Sequence, residues 1–182
     1  MEPSEDKKVA LCVIAFTVPL QFTASIVGFL ARDGVAATGM GLLSGTWLAV
    51  GLVLFSSKPG GTSNALGLFL LVAMVAVWAP ASAAMRFKLV PAAVLAIAGI
   101  RFGATGVYQL TASKAWEHAA GIVGLLLTAL SIYAAYAAEH EDVTKRTVLP
   151  LGRRGKGRIA IEGTYAQQIA ELYKEPGIRN QL

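Results

Sequence analysis

Five long apolar stretches separated by short breaks constrain the fold of this chain more than any other feature. A lipid hydrocarbon core about 30 Å thick requires roughly 20 consecutive apolar residues in a helix. The sequence therefore predicts an all-α membrane protein, a polytopic bundle of five transmembrane helices. The stretches are Val9–Ala31, Val35–Ser56, Asn64–Ala84, Leu89–Thr111 and Ala119–Ala138.

The distribution of charged residues excludes a water-soluble domain. Only 15% of the residues are charged and 55% are hydrophobic, whereas soluble domains contain about 25% charged residues. Between Val9 and Ala138 there are eight charged side chains, and seven of them fall between the apolar stretches. We therefore expect an N-terminal loop outside the membrane (residues 1–8), a transmembrane bundle (residues 9–138) and a basic cytoplasmic tail (residues 139–182).

The bias of basic residues predicts the orientation, because cytoplasmic loops hold the excess of Lys and Arg. With the tail inside, nine basic residues up to Arg158 are cytoplasmic and four are outside. The opposite orientation inverts this ratio, so the N-terminus is expected outside. The nine are Arg32, Arg86, Lys88, Lys145, Arg146, Arg153, Arg154, Lys156 and Arg158, and the four are Lys7, Lys8, Lys58 and Lys114.

Glycines recur within the apolar stretches at helical spacing. In lipid, helices associate through close backbone approach at such small residues. We expect most of these glycines to pack helices within one protomer, and contact between protomers is the alternative. The glycines are Gly41, Gly45, Gly99, Gly103, Gly106, Gly121 and Gly124.

Arg101 is the strongest single indication of function. It lies ten to twelve residues from either end of the fourth stretch, which places it near the bilayer midplane. Ionisable groups at that depth are costly and face a cavity or a partner. No Asp or Glu lies within any of the five stretches, so the position predicts an anion site or a water-filled lumen. The alternative is a shifted span in which helix-end carbonyls satisfy Arg101.

Five further residues indicate a polar path through the helices. Pro19 lies within the first stretch, where proline removes a backbone hydrogen bond and kinks a helix. The freed carbonyl and the amide of Gln21 are expected to face that path, and a purely structural kink is the alternative. Trp47, Tyr108 and Gln109 are expected to narrow or line it.

The residue inventory argues against an enzyme. Cys12 is the single cysteine, which excludes a disulfide within the chain and a cysteine-based metal site. The two histidines, His118 and His140, are too few for a metal centre. We therefore expect no catalytic residues, no metal and no cofactor.

The tail is predicted to touch lipid. The run Arg153–Arg158 should lie against anionic headgroups, at about 1 kcal/mol per basic side chain. No aromatic residues interleave with these charges, so nucleic acid is not an expected partner. A short helix is predicted over Thr164–Lys174.

Two segments resemble the acetate/succinate uptake transporters of the YaaH (SatP) type. Phe16–Trp47 is similar to two consecutive helices of that family joined by a short charged turn, and Ala120–Ala137 is similar to its last helix. The matching residues are Gln21, Ala36-Ala37-Thr38, Gly45 and Trp47 in the first segment, and Gly121, Gly124, Thr128, Ala129 and Tyr133 in the second.

The resemblance implies that this chain lacks the first of the family's six helices. The family motif Asn-Pro-Ala-Pro-Leu-Gly is absent, and Gly28 stands where the family has an acidic residue. Loss of the first helix places the N-terminus outside, in agreement with the charge count. Because Met1–Asp6 reads like a loop between helices, we expect an in-frame segment upstream that encodes the helix. A truncation or a genuine five-helix variant is the alternative.

The function implied by the resemblance is passage of small monocarboxylates such as acetate across the plasma membrane, in a bacterium the inner membrane. A homo-oligomer with a route in each protomer is expected. Arg101 would lower the electrostatic cost of an anion in that route. Channel and proton-coupled transport both remain open, and a non-transporting scaffold or accessory subunit, with a partner- or lipid-binding tail, is the alternative function. The residues predicted to line the route are Phe16, Gln21, Trp47, Arg101 and Tyr108.

Overall fold

The computed structural model describes residues 5–172, and over this range the chain folds into seven helices without any extended strand. Five of the helices are long and apolar enough to cross a membrane, which confirms the predicted number. They are α1 (Asp6–Leu30), α2 (Gly34–Ser56), α3 (Asn64–Ala84), α4 (Leu89–Thr111) and α5 (Lys114–Thr144), and two short helices follow, α6 (Lys156–Glu162) and α7 (Tyr165–Leu172).

Two of the long helices extend three or more residues beyond the predicted apolar stretches. Helix α1 already begins at Asp6, within the segment expected to be a loop, and α5 extends at both ends into charged sequence. The charged side chains at these helix ends have polar partners in the structure. Lys114 and Glu117 form an ion pair at the start of α5, and the Asp6 carboxylate accepts a hydrogen bond from the Gly60 N–H.

Helix α1 contains a wider π-helical turn at Val13–Thr17, immediately before Pro19. Proline has no N–H, and its ring clashes with the carbonyl four residues earlier. A π turn at this point changes the hydrogen-bonding register and makes room for the ring. The irregularity predicted at Pro19 therefore takes the form of a π turn.

The long helices pack in chain order, each against the next. The most extensive interface is that of α3 and α4, where a Cβ on Gly67 or on Gly106 would lie 2.9 Å from the carbonyl oxygen of the other glycine. Gly103 packs against Met74 in the same interface, whereas Gly45 faces open space. The glycines of α4 thus pack helices within one protomer, as predicted. The buried core between α2, α3 and α4 includes Leu43, Leu66, Leu70, Val77, Leu95 and Phe102.

The first and last long helices are packed on one side only. Helix α1 packs against α2, and α5 packs against α4. Large apolar side chains on both helices are exposed, among them Leu30 on α1 and Leu125 on α5. A cleft consequently remains between α1 and α5.

The chain after α5 folds back onto the turn between α3 and α4. The N–H groups of Leu89 and Val90 donate to the carbonyls of Gly152 and Leu151. We call this side of the helices the tail end, and the side that carries the Lys58 turn the opposite end. The helix predicted over Thr164–Lys174 is present as α7, and the part of that prediction beyond residue 172 lies outside the described residues.

Candidate functional site

Two adjoining cavities lie between α1, α2, α4 and α5. The tail-end cavity, about 440 Å³ in volume, runs toward the tail end between mostly apolar walls. The cleft cavity, about 660 Å³, lies between α1 and α5. Gln21, Trp47, Leu127 and Ser131 line both cavities, so the two meet at these residues.

The guanidinium of Arg101 projects from the middle of α4 into the cleft cavity. Its central carbon lies 5.0 Å from the centroid of the Trp47 ring, a cation–π contact that contributes about 1–2 kcal/mol when desolvated. On its other side is Gly124 of α5, where a Cβ would lie 2.7 Å from Nε. The guanidinium is therefore held between an aromatic face and a glycine.

The Arg101 charge has no protein counter-ion within residues 5–172. None of the ion pairs in this range includes it, and its buried Nε donates to no acceptor there. An unpaired buried donor costs about 1–3 kcal/mol, so such groups are satisfied by water or a solute. The cleft cavity lies beside Arg101 and has room for such a partner.

The Trp47 ring is fixed by the buried ring of Phe102. The two rings meet edge to face, with centroids 5.8 Å apart and planes at 70°. Since Phe102 belongs to the core between α2, α3 and α4, Trp47 presents its face to Arg101 in a set orientation. Phe102 was not singled out in the sequence, because a single Phe among many apolar residues gives no signal.

Gln21 brings a second unpaired polar atom to the junction of the cavities. Its Oε1 is buried and accepts no hydrogen bond from the described residues. Thr17, one turn earlier on α1, lines the cleft cavity beside it. At the junction and in the cleft cavity beside it, the side chains therefore offer a cation, an amide and a hydroxyl between apolar walls.

Three of the five predicted route residues come together here, and two do not. Gln21, Trp47 and Arg101 line the cleft cavity. Phe16 is 69% exposed on the outer side of α1, and neither Phe16 nor Tyr108 lines either of the two cavities.

Two ion pairs lie beside the tail-end cavity. Lys88 pairs with Asp33, and both line the tail-end cavity. Arg153, which also lines it, pairs with Glu141, and the distance from its Nε to Oε2 is 2.6 Å. The first pair could have been found from the sequence, because Asp33 and Lys88 lie in two turns that the count of basic residues assigned to the same side of the membrane. The second pair has no such indication in the sequence.

The Asp33 pair predicts a pH dependence. Burial by itself raises the pKa of the Asp33 carboxyl, but hydrogen bonds from Lys88 and Ala36 and the charges of Lys88 and Arg153 bring it below its ordinary value of 3.8. The stabilisation is therefore fully present above about pH 4 and is lost as the pH falls through the folded-state pKa. Between pH 6 and pH 3.5 the unfolding temperature should decrease more in wild type than in Asp33→Asn. An equal fall in both would contradict the prediction.

The donor set at the junction suits a small anion rather than a metal ion. Among the described residues, no three His, Cys, Asp or Glu side chains cluster as metal ligands would. A lone guanidinium with neighbouring neutral polar groups instead complements a carboxylate. Comparison with family models, curated proteins and solved structures gives no match to this chain.

Proposed function

We propose that the chain is a polytopic plasma-membrane protein that passes small monocarboxylates such as acetate through the two adjoining cavities. The observation that supports this most is Arg101, a cation that lines the cleft cavity beside the junction, with a buried Nε and no carboxylate partner in the described chain. The likeness of Phe16–Trp47 to the acetate/succinate uptake transporters gives the same substrate class.

In this proposal Arg101 compensates the cost of bringing an anion into an apolar space. Conduction requires an attraction strong enough for entry and weak enough for release. The stacking of the guanidinium on Trp47 moderates its attraction for an anion. The apolar walls of the tail-end cavity accommodate the methyl group of acetate, and the Gln21 amide offers hydrogen bonds to water or to the acid.

Uptake of labelled acetate into vesicles containing the purified protein tests the function. The measurement belongs at a pH where acetate is ionised, because the neutral acid crosses lipid unaided. We expect uptake well above that of protein-free vesicles, with saturation by excess acetate. Uptake equal to that of protein-free vesicles would contradict transport.

The tail end is proposed to face the cytoplasm, and the prediction is a labelling pattern in intact cells. In a Cys12→Ser background, cysteine at Thr62, in the exposed turn at the opposite end, should react with an impermeant thiol reagent. Cysteine at Thr164, exposed before α7, should react only after the cells are opened. Labelling of Thr164→Cys from outside would reverse the orientation.

Exposed basic side chains support the second candidate function, a membrane scaffold whose tail binds a partner or lipid. Arg154, Lys156 and Arg158 are exposed on the tail, as headgroup binding requires, although Lys156 and Arg158 pair there with Glu171 and Glu162. Arg153 of the same run is instead held by the buried Glu141. The exposed apolar faces of α1 and α5 offer surface for lipid and for the other protomers of a homo-oligomer. The acetate measurement separates transport from this alternative.

A further inference from the structure

The tail end of the tail-end cavity is covered by a segment of the chain that follows α5. We call residues 147–157 the cover. Its backbone makes three hydrogen bonds with the turn before α4 and the start of that helix, including one from the Arg154 N–H to the Phe87 carbonyl. Two of its side chains, Leu151 and Arg153, line the cavity, and Leu151 is buried.

The buried carboxylate of Glu141, near the end of α5, binds two side chains of the cover. Glu141 is only 1% exposed, and both of its hydrogen-bond donors belong to the cover. Thr147 donates its hydroxyl to Oε1 over 2.8 Å, and Arg153 donates Nε–H to Oε2. Removing one partner of a buried ion pair is strongly destabilising, because the other charge is left uncompensated. Docking of the cover therefore depends on Arg153.

The backbone of the cover fits closely where it docks. Gly152 has a φ of +65°, and a Cβ there would lie 2.6 Å from the Cβ of Leu89. A Cβ on Gly157 would likewise lie too close to the carbonyl oxygen of Phe87. Lys145, with a φ of +53°, ends α5 before the cover begins. The cover is thus closely packed against the turn before α4 and is joined to α5 by one sharp turn at Lys145.

From these contacts we infer that the cover is an autoinhibitory gate. When Arg153 is bound to Glu141, Leu151 and Arg153 close the tail end of the cavity, and when the pair separates the cover swings away about Lys145 and opens it. The inference rests on the proposed function in one respect, because it treats the tail-end cavity as part of the route of the transported carboxylate. The closure itself is a property of the structure that a thiol reagent can measure without transport.

The test uses Val94→Cys in the full chain with Cys12→Ser, because Val94 lines the tail-end cavity and is half-buried. An impermeant thiol reagent is applied to membrane vesicles whose tail side is exposed. Adding Arg153→Gln should raise the rate of labelling about tenfold or more, because Glu141 loses its partner. Arg154→Gln is the matched control, since the Arg154 side chain is exposed, and it should leave the rate unchanged.

Two paired variants decide the outcome if Arg153→Gln alone does not fold. Arg153→Gln with Glu141→Gln leaves no buried charge and should still raise the rate. Arg153→Glu with Glu141→Arg restores an ion pair and should return the rate toward wild type. A wild-type rate in the neutral pair, or an equal rise in Arg154→Gln, would overturn the gate.

Acetate flux through the same variants separates the gate from the proposed function. Flux that rises together with labelling supports both. Labelling that rises while flux stays at the level of protein-free vesicles supports the gate and refutes acetate transport. Flux without any change in labelling overturns the gate alone.

Discussion

Replacing Arg101 with methionine is expected to lower acetate uptake, normalised to protein in the membrane, by about tenfold or more, the equivalent of at least about 1.4 kcal/mol. Methionine fills the space beside Trp47 and Gly124 but leaves the anion without a cation in the cavity. The protein should still insert and fold, because removing a buried charge relieves its desolvation cost.

Arg101→Lys should give intermediate uptake, since lysine keeps the charge but loses the planar guanidinium. Arg86→Met is the matched control, because Arg86 is an exposed arginine at the tail end, and it should transport as wild type does. A structural role for Arg101 predicts the reverse pattern, a low yield with normal uptake per molecule. Unchanged normalised uptake in Arg101→Met would favour the scaffold alternative.

Gly106→Leu is expected to destabilise the protein by about 3 kcal/mol or more, at the upper end of overpacking effects. The obstruction is the carbonyl oxygen of Gly67, 2.9 Å from where the Cβ would stand, and a backbone atom cannot rotate away. Helices α3 and α4 would have to separate. Unfolding in mixed micelles, followed by circular dichroism, measures the loss.

Gly45→Leu is the matched control for this experiment. A Cβ at Gly45 meets no atom within 4 Å, and leucine favours a helix over glycine by about 1 kcal/mol. Its stability should equal or exceed that of wild type. An equal loss at both positions would mean that Gly45 is also in a close interface, and the contrast drawn from the structure would fail.

The number of long helices could be predicted because the thickness of a lipid bilayer sets the length of an apolar span. The ends of the helices could not. Hydropathy changes where charge begins, whereas helical hydrogen bonding continues as long as the charged side chains pair or reach water. Asp6 and the Lys114–Glu117 pair are therefore helical although they lie outside the apolar stretches.

Part of the candidate site could be predicted because polar residues in apolar helices are rare. Gln21 and Arg101 stood out for that reason. Phe16 does not join them because it lies in the π turn on the outer side of α1, where it is exposed. Thr17 lies on the same face as Gln21, and helical periodicity would have favoured it. Tyr108 lies two turns beyond Arg101, about 10 Å along the axis.

The cover could not be predicted from the sequence. Arg153 and Glu141 are twelve residues apart on either side of a turn at Lys145, where no helical or strand periodicity relates them. Their pairing follows only once the chain has folded back onto the start of α4. A run of basic residues in the sequence reads as a uniform charged surface, but Arg153 and Arg154 have different environments in the fold.

The order of synthesis gives the setting of Arg101 a consequence for biogenesis. Chains emerge from the ribosome N-terminus first. In the proposed membrane protein, Trp47 on α2 is therefore synthesised before Arg101 on α4, whereas Gly124 on α5 is synthesised after it. The first stacking partner available to the Arg101 guanidinium is therefore the indole of Trp47. Helix α5 is synthesised after α4 and places Gly124 beside the Nε of Arg101. The aromatic partner of Arg101 is therefore present before its glycine neighbour.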